Sequence, residues 1–135
     1  MESLRVSLVQ PFEDAVETVK AAFKDQGFGT LSDIDVQKTL QEKIGHEIES
    51  YRVLGVCNPH IAAKAIATEH EIGIYMPCTV LLHECEGRVH VRVQDPVDVV
   101  ALTGNESLRP LMLEARQRLD AALRTLETIT ASGRA

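Results

Sequence analysis

The stretch TVLLHECEGRVHVRV, residues 79–93, carries the clearest structural signal in the chain. Two apolar runs flank Glu86-Gly87, a pattern typical of a β-hairpin with a two-residue turn. Such a turn would place His83 opposite His90 on one face of the hairpin. The other face would then be apolar, with Val80 and Leu82 opposite Val91 and Val93. Asp95-Pro96 ends the hairpin, so the chain contains at least one antiparallel strand pair.

Strand-like and helix-like periodicities alternate before the hairpin, and one long helix follows it. Strands are predicted at residues 4–8, 28–34, 48–56 and 72–76, and helices at 11–27, 35–45, 59–70 and 106–129. In the last helix, apolar residues recur at alternating steps of four and three: Leu108, Met112, Ala115, Leu119, Ala122, Leu126 and Ile129. A stripe of this kind must be covered by another surface.

This order of elements predicts an α+β fold, a two-layer sandwich in which a mainly antiparallel, curved sheet is packed by helices. A short doubly wound parallel sheet is the alternative. Strands of a parallel sheet are buried on both faces and read as continuous Val/Ile blocks, and no strand before the hairpin does so. We therefore expect a single domain over residues 1–135, with a frayed tail at about 130–135.

The composition excludes several classes of partner. A net charge of −6 and an aromatic content of 4% argue against nucleic acid, which needs a basic footprint and stacking side chains. No apolar run is long enough for a membrane helix, and residues 1–5 do not begin a secretory signal. The chain has 3 cysteines without Cys-x-x-Cys spacing, which predicts reduced thiols in the cytoplasm and no metal or other cofactor.

Candidate chemistry lies where two strand-like runs give way to a cysteine. Leu54–Cys57 is followed by Asn58, a good helix N-cap, and by Pro59, which suits the first helical position. A thiol beside a helix N-terminus is in a field that favours thiolate. Cys78, which follows Pro77, also stands where a strand-like run ends. Pro77 marks either a strand end or a bent strand that exposes backbone to a ligand.

If the strands that end at Cys57 and Cys78 are parallel neighbours, the helix between them brings both thiols to one edge of the sheet. The pair could then act as a redox couple, a soft-metal chelate, or a nucleophile with an accessory thiol. The alternative is that both cysteines are buried, inert apolar residues, and that Asn58 is only a helix cap.

The hairpin offers a weaker metal site. His83, Cys85 and His90 are metal-ligating types that would share one face. Arg88 and Arg92 would share that face as well and repel a cation, so a solvated polar surface is the expected outcome. The sequence contains neither a convincing carboxylate pair nor a Gly-x-Ser-x-Gly motif. These observations favour a non-enzymatic role.

The C-terminal stripe can pack on its own sheet or against a second copy of the chain. Leu111 and Leu123 widen its apolar arc, and closed two-fold dimers are the commonest oligomers. A homodimer is therefore one prediction of this pattern.

Several segments together resemble a known family. They are Gly27-Phe28-Gly29, Ile34-Asp35-Val36 with Leu40, Tyr51–Pro59, Ala62, Ala65, Glu71-Ile72-Gly73-Ile74, Pro77-Cys78-Thr79-Val80 and Asp95-Pro96. The chain resembles the small prokaryotic family known as domain of unknown function 302. The resemblance implies a curved antiparallel sheet similar to the TATA-binding-protein-like group, and it implies no activity. His83, Cys85 and His90 are not part of the family's pattern.

These observations predict a small ligand-binding or thiol-based accessory protein with its site at Cys57, Asn58, Pro59, Pro77 and Cys78. The ligand itself is not identified by the sequence. The alternative is a non-enzymatic dimeric interaction module, in which the same motifs only maintain the fold.

Overall fold

The computed structural model describes residues 3–133, with side chains to residue 129. Five strands form one sheet in the order β1-β5-β4-β3-β2. They are β1 (Arg5–Leu8), β2 (Gly29–Asp35), β3 (Tyr51–Cys57), β4 (Cys78–Cys85) and β5 (Arg88–Val93). Every neighbouring pair in this sheet is antiparallel, which confirms the α+β prediction over the parallel alternative.

The helices are α1 (Phe12–Asp25), α2 (Val36–Ile44), α3 (Pro59–Thr68), α4 (Asp98–Thr103) and α5 (Arg109–Gly133). Two 3₁₀ segments, His70–Tyr75 and Glu106–Leu108, precede β4 and α5. None of the helices within residues 3–133 has the length and apolar content needed to cross a membrane.

The hairpin forms as predicted. Glu86 and Gly87 both have positive φ, 53° and 75°, as a type I′ turn requires. The turn sets the register: Cys85 faces Arg88, and His83 faces His90. The apolar pairs Val80–Val93 and Leu82–Val91 are also found, and all four side chains are buried.

Helices cover one face of the sheet, and the core lies between them. The predicted stripe is buried there from Leu108, just before α5, to Leu126, so it packs on the protein's own sheet, whereas its last residue, Ile129, is exposed. That packing uses the surface from which a dimer was predicted. The opposite face, which we call the open face, carries Arg5, Ser7, Tyr51, Val53, Leu81, His83, Cys85, Arg88, His90 and Arg92, all of them at least partly exposed.

One predicted strand is wrong. Residues 72–76 belong mostly to the 3₁₀ segment His70–Tyr75, whose start is capped by the Glu69 carboxylate, an acceptor for the Glu71 N–H at 3.3 Å. Ile72 is 3% exposed, whereas Ile74 is 77% exposed, so the alternation that suggested a strand does not bury one face. The sheet consequently has one strand fewer than predicted.

The helices differ in detail from the predicted ones. The short helix α4 was not predicted, and α5 begins at Arg109 after a 3₁₀ turn. No residue of α2 is buried, and Ile44 is 72% exposed. The tail predicted to fray at 130–135 is helical to Gly133; residues 134 and 135 lie outside the described part.

Candidate ligand-binding site at the Cys57–Cys78 rim

Cys57 and Cys78 lie at the same end of the sheet. Cys57 is the last residue of β3 and Cys78 is the first of β4, and Cys78 pairs with Val56 across these antiparallel strands. The condition of parallel neighbours, on which their proximity was made to depend, is not met, yet the two residues still lie at one edge. The two residues are close because β4 starts beside the point where β3 stops. We call this place the rim.

A cavity of about 80 Å³ lies at the rim, between the sheet and the helices. Its lining is almost wholly apolar and comes from residues far apart in the chain: Phe28, Val56, Cys57, Asn58, Ile61, Ala62, Ala65, Ile72, Tyr75, Met76, Pro77, Cys78, Gln94, Pro96, Val99, Met112, Ala115 and Leu119. Four of the five predicted site residues are among them. Pro59 is not; it forms the exposed first turn of α3.

The Cys78 thiol is held in its neutral form. Burial raises its pKa to about 12, and the nearby Asp95 carboxylate and Cys57 add to the effect. The Cys78 Sγ donates a hydrogen bond to the Gln94 carbonyl oxygen at 3.5 Å. At neutral pH this sulfur is a weak hydrogen-bond donor and a soft apolar contact, because the nucleophilic form of cysteine is the thiolate.

Burial also raises the pKa of the Cys57 thiol, so the thiolate expected beside a helix N-terminus is disfavoured. The structure shows why the helix does not offset burial. The Asn58 Oδ1 accepts from the N–H groups of His60 and Ile61, at 3.1 and 3.2 Å, so these donors are already occupied. The Cys57 thiol itself makes no hydrogen bond to any residue in the described part of the chain.

The family model named Domain of unknown function DUF302 matches residues 4–126. The chain belongs to the DUF302 family. Its fold is similar to that in the "crystal structure of uncharacterized conserved protein DUF302 from Bacillus stearothermophilus", with a TM-score of 0.84 and 25% sequence identity. The alignment covers 90% of this chain and 95% of that one. Among curated proteins, none matches this chain significantly.

Two of the segments that carry the resemblance to DUF302 proteins meet where Asn58 packs on Gly27. Asn58 is 7% exposed, and it caps α3 while its amide group lies against the Gly27 backbone. A Cβ at Gly27 would be 2.8 Å from the Asn58 Nδ2, and Gly27 has a φ of +85°. Only glycine meets both requirements without strain. Asn58 therefore has a structural role: it caps α3 and packs against the Gly27 backbone.

A second such contact joins Gly55 to Pro77. A Cβ on Gly55 would overlap the Ser32 Oγ and lie 2.5 Å from the Pro77 Cγ. The Pro77 ring, which follows a cis peptide bond, therefore lies directly over the β3 backbone. This packing positions the segment that enters β4 at Cys78. The Gly-Val-Cys-Asn-Pro and Pro-Cys segments, both part of the resemblance to DUF302 proteins, therefore contact each other through Gly55 and Pro77.

The weak metal candidate does not assemble. The His83 and His90 rings stack with centroids 5.3 Å apart and planes at 27°, and Cys85 is exposed beyond them on β4. Within residues 3–133, no group of three or more His, Cys, Asp or Glu side chains is arranged to hold a metal ion. The stacked pair does confirm the predicted cross-strand register.

Sequence reasoning missed the part of the cavity wall that α4 and α5 contribute. Val99 on α4 and Met112, Ala115 and Leu119 on α5 complete it, at least twenty residues beyond Cys78. The amphipathic stripe of α5 showed that these side chains would be buried, but no local signal indicated what they would face.

Proposed function

We propose that this protein binds a small apolar molecule, or the apolar end of a larger one, in the rim cavity. The observation that supports the proposal is a cavity of about 80 Å³ whose lining is hydrocarbon and neutral sulfur, at the surface end of the sheet. An enclosed cavity about twice this size, lined by Leu, Ile and Phe, suffices to bind benzene or xenon.

The oxygen acceptors at the rim support an apolar ligand because they are already used within the protein. The Asn58 Oδ1 caps α3, and the Gln94 Oε1 accepts from the Thr79 N–H at 3.4 Å. The Gln94 carbonyl oxygen accepts from Cys78. A ligand that donates to these oxygens would have to break the existing hydrogen bonds, whereas an apolar ligand leaves them intact.

Thiol redox chemistry and soft-metal binding are less well supported. Both need a thiolate, and burial raises the pKa of Cys57 as well as Cys78. Met76 and Met112 also line the cavity, and they add soft contacts that suit an apolar guest. We place the protein in the cytoplasm, because all three cysteines are free thiols.

Two variants on α3 test the proposal. Ala62 lines the cavity and is half-buried, whereas Ala67 is on the same helix, exposed and away from the cavity. Ala62→Leu should fill the cavity and weaken binding of xenon and of 1-octanol by at least about tenfold. Ala67→Leu, with the same change in size and helix propensity, should bind both probes like the wild type.

Methyl NMR spectra measure binding through the shifts of Ile61 and Ile72, which line the cavity. Thermal unfolding of both variants shows that each is folded. The proposal is wrong if neither probe shifts these methyl groups in the wild type, or if Ala62→Leu binds as tightly as Ala67→Leu.

A dimeric interaction module is the second candidate, and a groove of mixed polarity with exposed apolar side chains on the β2 side of the open face favours it. The groove, of about 310 Å³, includes Ile34, Val53, Ile74 and Pro77. Ile34 is 51% exposed and Ile74 is 77% exposed. Because β2 is an edge strand, a second copy could extend the sheet and cover these side chains.

Sedimentation equilibrium tests this second function. If the groove is a dimer interface, the wild type should dimerise and Ile74→Lys should shift the equilibrium to monomer. Leu102→Lys is the matched control, because Leu102 is 56% exposed on α4 and does not line the groove. A wild type that stays monomeric at the highest soluble concentration would exclude the dimeric module.

A further inference from the structure

The β1–β5 side of the open face concentrates positive charge. Arg5 on β1 lies directly opposite Arg92 on β5. Arg88 lies two residues along β5 from His90, and its guanidinium donates to the Ser7 Oγ from Nε at 3.1 Å and from Nη2 at 3.0 Å. Neighbouring strands are only about 5 Å apart, so the three guanidinium groups lie within a small area of one sheet surface.

These arginines differ from the others in their partners. Within residues 3–133, no carboxylate lies within ion-pair distance of Arg5, Arg88 or Arg92. The arginines elsewhere in that part of the chain all form ion pairs: Arg52, Arg109, Arg116, Arg118 and Arg124. The three arginines of the open face therefore have no carboxylate in direct contact, although Asp120 and Glu127 of α5 share a cleft with Arg5 at the edge of the sheet.

This arrangement opposes stability. Like charges directly opposite each other on a sheet are destabilising, and here Arg5 faces Arg92. The chain has a net charge of −6, so acidic residues are abundant, yet those that pair with arginines do so on other surfaces. An external anion would relieve the repulsion between the two guanidinium groups.

The same place forms a groove of about 570 Å³, within the range typical of small-molecule sites. Arg5, Arg92, His83 and His90 supply N–H groups around it, and Leu81 supplies an apolar wall. Guanidinium groups match the geometry of phosphate oxygens, and a phosphate monoester carries about two negative charges, enough for two arginines.

We propose that this groove is a second binding site, which takes the phosphate group of a small phosphorylated organic molecule. Arg92 and Arg5 bind the phosphate, the His83–His90 pair borders it, and Leu81 contacts the organic part. A nucleic-acid polymer fits less well, because the net negative charge would repel it outside the groove. A two-fold dimer through this surface would place arginines against arginines.

The test titrates the full-length protein with inorganic phosphate and with adenosine monophosphate, and follows backbone amide shifts and thermal unfolding. Potassium chloride at matched ionic strength is the control for screening. Both probes should shift the amides of β1, β4 and β5 and raise the melting temperature beyond the chloride control. Adenosine monophosphate should bind more tightly, because only it can contact Leu81.

Arg92→Gln should weaken the binding of both probes by at least about tenfold. In chloride alone it should melt no lower than the wild type, because the substitution removes a like-charge pair. Arg118→Gln is the matched control; Arg118 pairs with Glu114 on the exposed side of α5, and its loss should leave phosphate binding unchanged.

Equal responses to phosphate and chloride, or unchanged binding in Arg92→Gln, would overturn the site. Adenosine monophosphate that binds no tighter than inorganic phosphate would overturn the organic part of the proposal. The result is independent of the rim cavity, because Ala62 lies on α3 and not in this groove.

Discussion

The reactivity of Cys78 is the most direct test of how the rim works. In the unfolded chain, a thiol with the ordinary pKa of 9.0 is about 10% ionised at pH 8, by the titration relation. In the folded protein the pKa of Cys78 is raised to about 12, so only about 0.01% is thiolate at that pH. Ionisation alone therefore slows alkylation about a thousandfold.

The greater intrinsic reactivity of the Cys78 thiolate offsets part of this slowing of alkylation. A thiolate of higher pKa is a stronger nucleophile, and a Brønsted coefficient of 0.4–0.5 over about three pKa units restores a factor of about 16–30. The net prediction is that native Cys78 reacts about 30- to 60-fold more slowly than the same residue in unfolded protein, before steric protection is counted.

Pulsed alkylation with iodoacetamide, read by peptide mass spectrometry, measures this ratio. Cys85 is exposed and serves as an internal reference in every native sample. The rate for Cys78 should keep rising, by up to tenfold per pH unit, above pH 9, where an ordinary thiol approaches its plateau. Native Cys78 that reacts within a few-fold of the unfolded rate at pH 8, with its near-UV circular dichroism unchanged, would refute the reasoning.

Three further predictions concern stability, each measured by urea unfolding. Because the folded-state pKa of Cys78 is raised, its contribution to the free energy of unfolding is complete below about pH 9. This contribution, up to about 4 kcal/mol, is lost as the pH rises towards 12. Cys78→Ala should abolish this part of the pH dependence, and an unchanged pH profile would contradict the prediction. Gly55→Ala should cost about 1–3 kcal/mol through overlap with Pro77, and a cost below about 0.5 kcal/mol would show that the contact relaxes freely. Arg52→Ala should cost about 1–3 kcal/mol, because the Arg52 guanidinium is bound by Asp33, Glu13 and Asp35, and these carboxylates keep contact with solvent when it is removed. Arg109→Ala, at an exposed pair, should leave the urea midpoint close to that of the wild type, and similar effects at both sites would reject this distinction.

Local signals in the sequence predicted most of the fold correctly. The Glu86-Gly87 turn, the Asn58 cap and the α5 stripe each depend on interactions within a few residues, and all three are present. The prediction failed at residues 72–76, where alternation suggested a strand. Ile72 is buried while Ile74 is exposed, and the segment is a 3₁₀ turn outside the sheet. The alternation in the sequence therefore does not correspond to the two faces of a strand.

At the rim, too, local signals predicted the segments but not how distant elements surround them. The cysteine-bearing segments are recognisable in the sequence, but their proximity was expected only if β3 and β4 were parallel, and it arises from an antiparallel pair. The polarity of the site was also misjudged, because a helix N-terminus suggested thiolate while burial raises both thiol pKa values. Burial depends on Val99, Met112 and other residues contributed by α4 and α5, and no short-range pattern indicates which strand they cover.

The amino-acid sequence by itself determined the α+β class, the hairpin register and the family, because periodicity, turn residues and caps act over short distances. Only the tertiary structure decided that Cys57 and Cys78 share a hydrocarbon-lined cavity and that Arg5 and Arg92 face each other. Cavities, dielectric environment and charge pairing are properties of groups far apart in the chain, so they exist only once the strands are aligned and the helices packed.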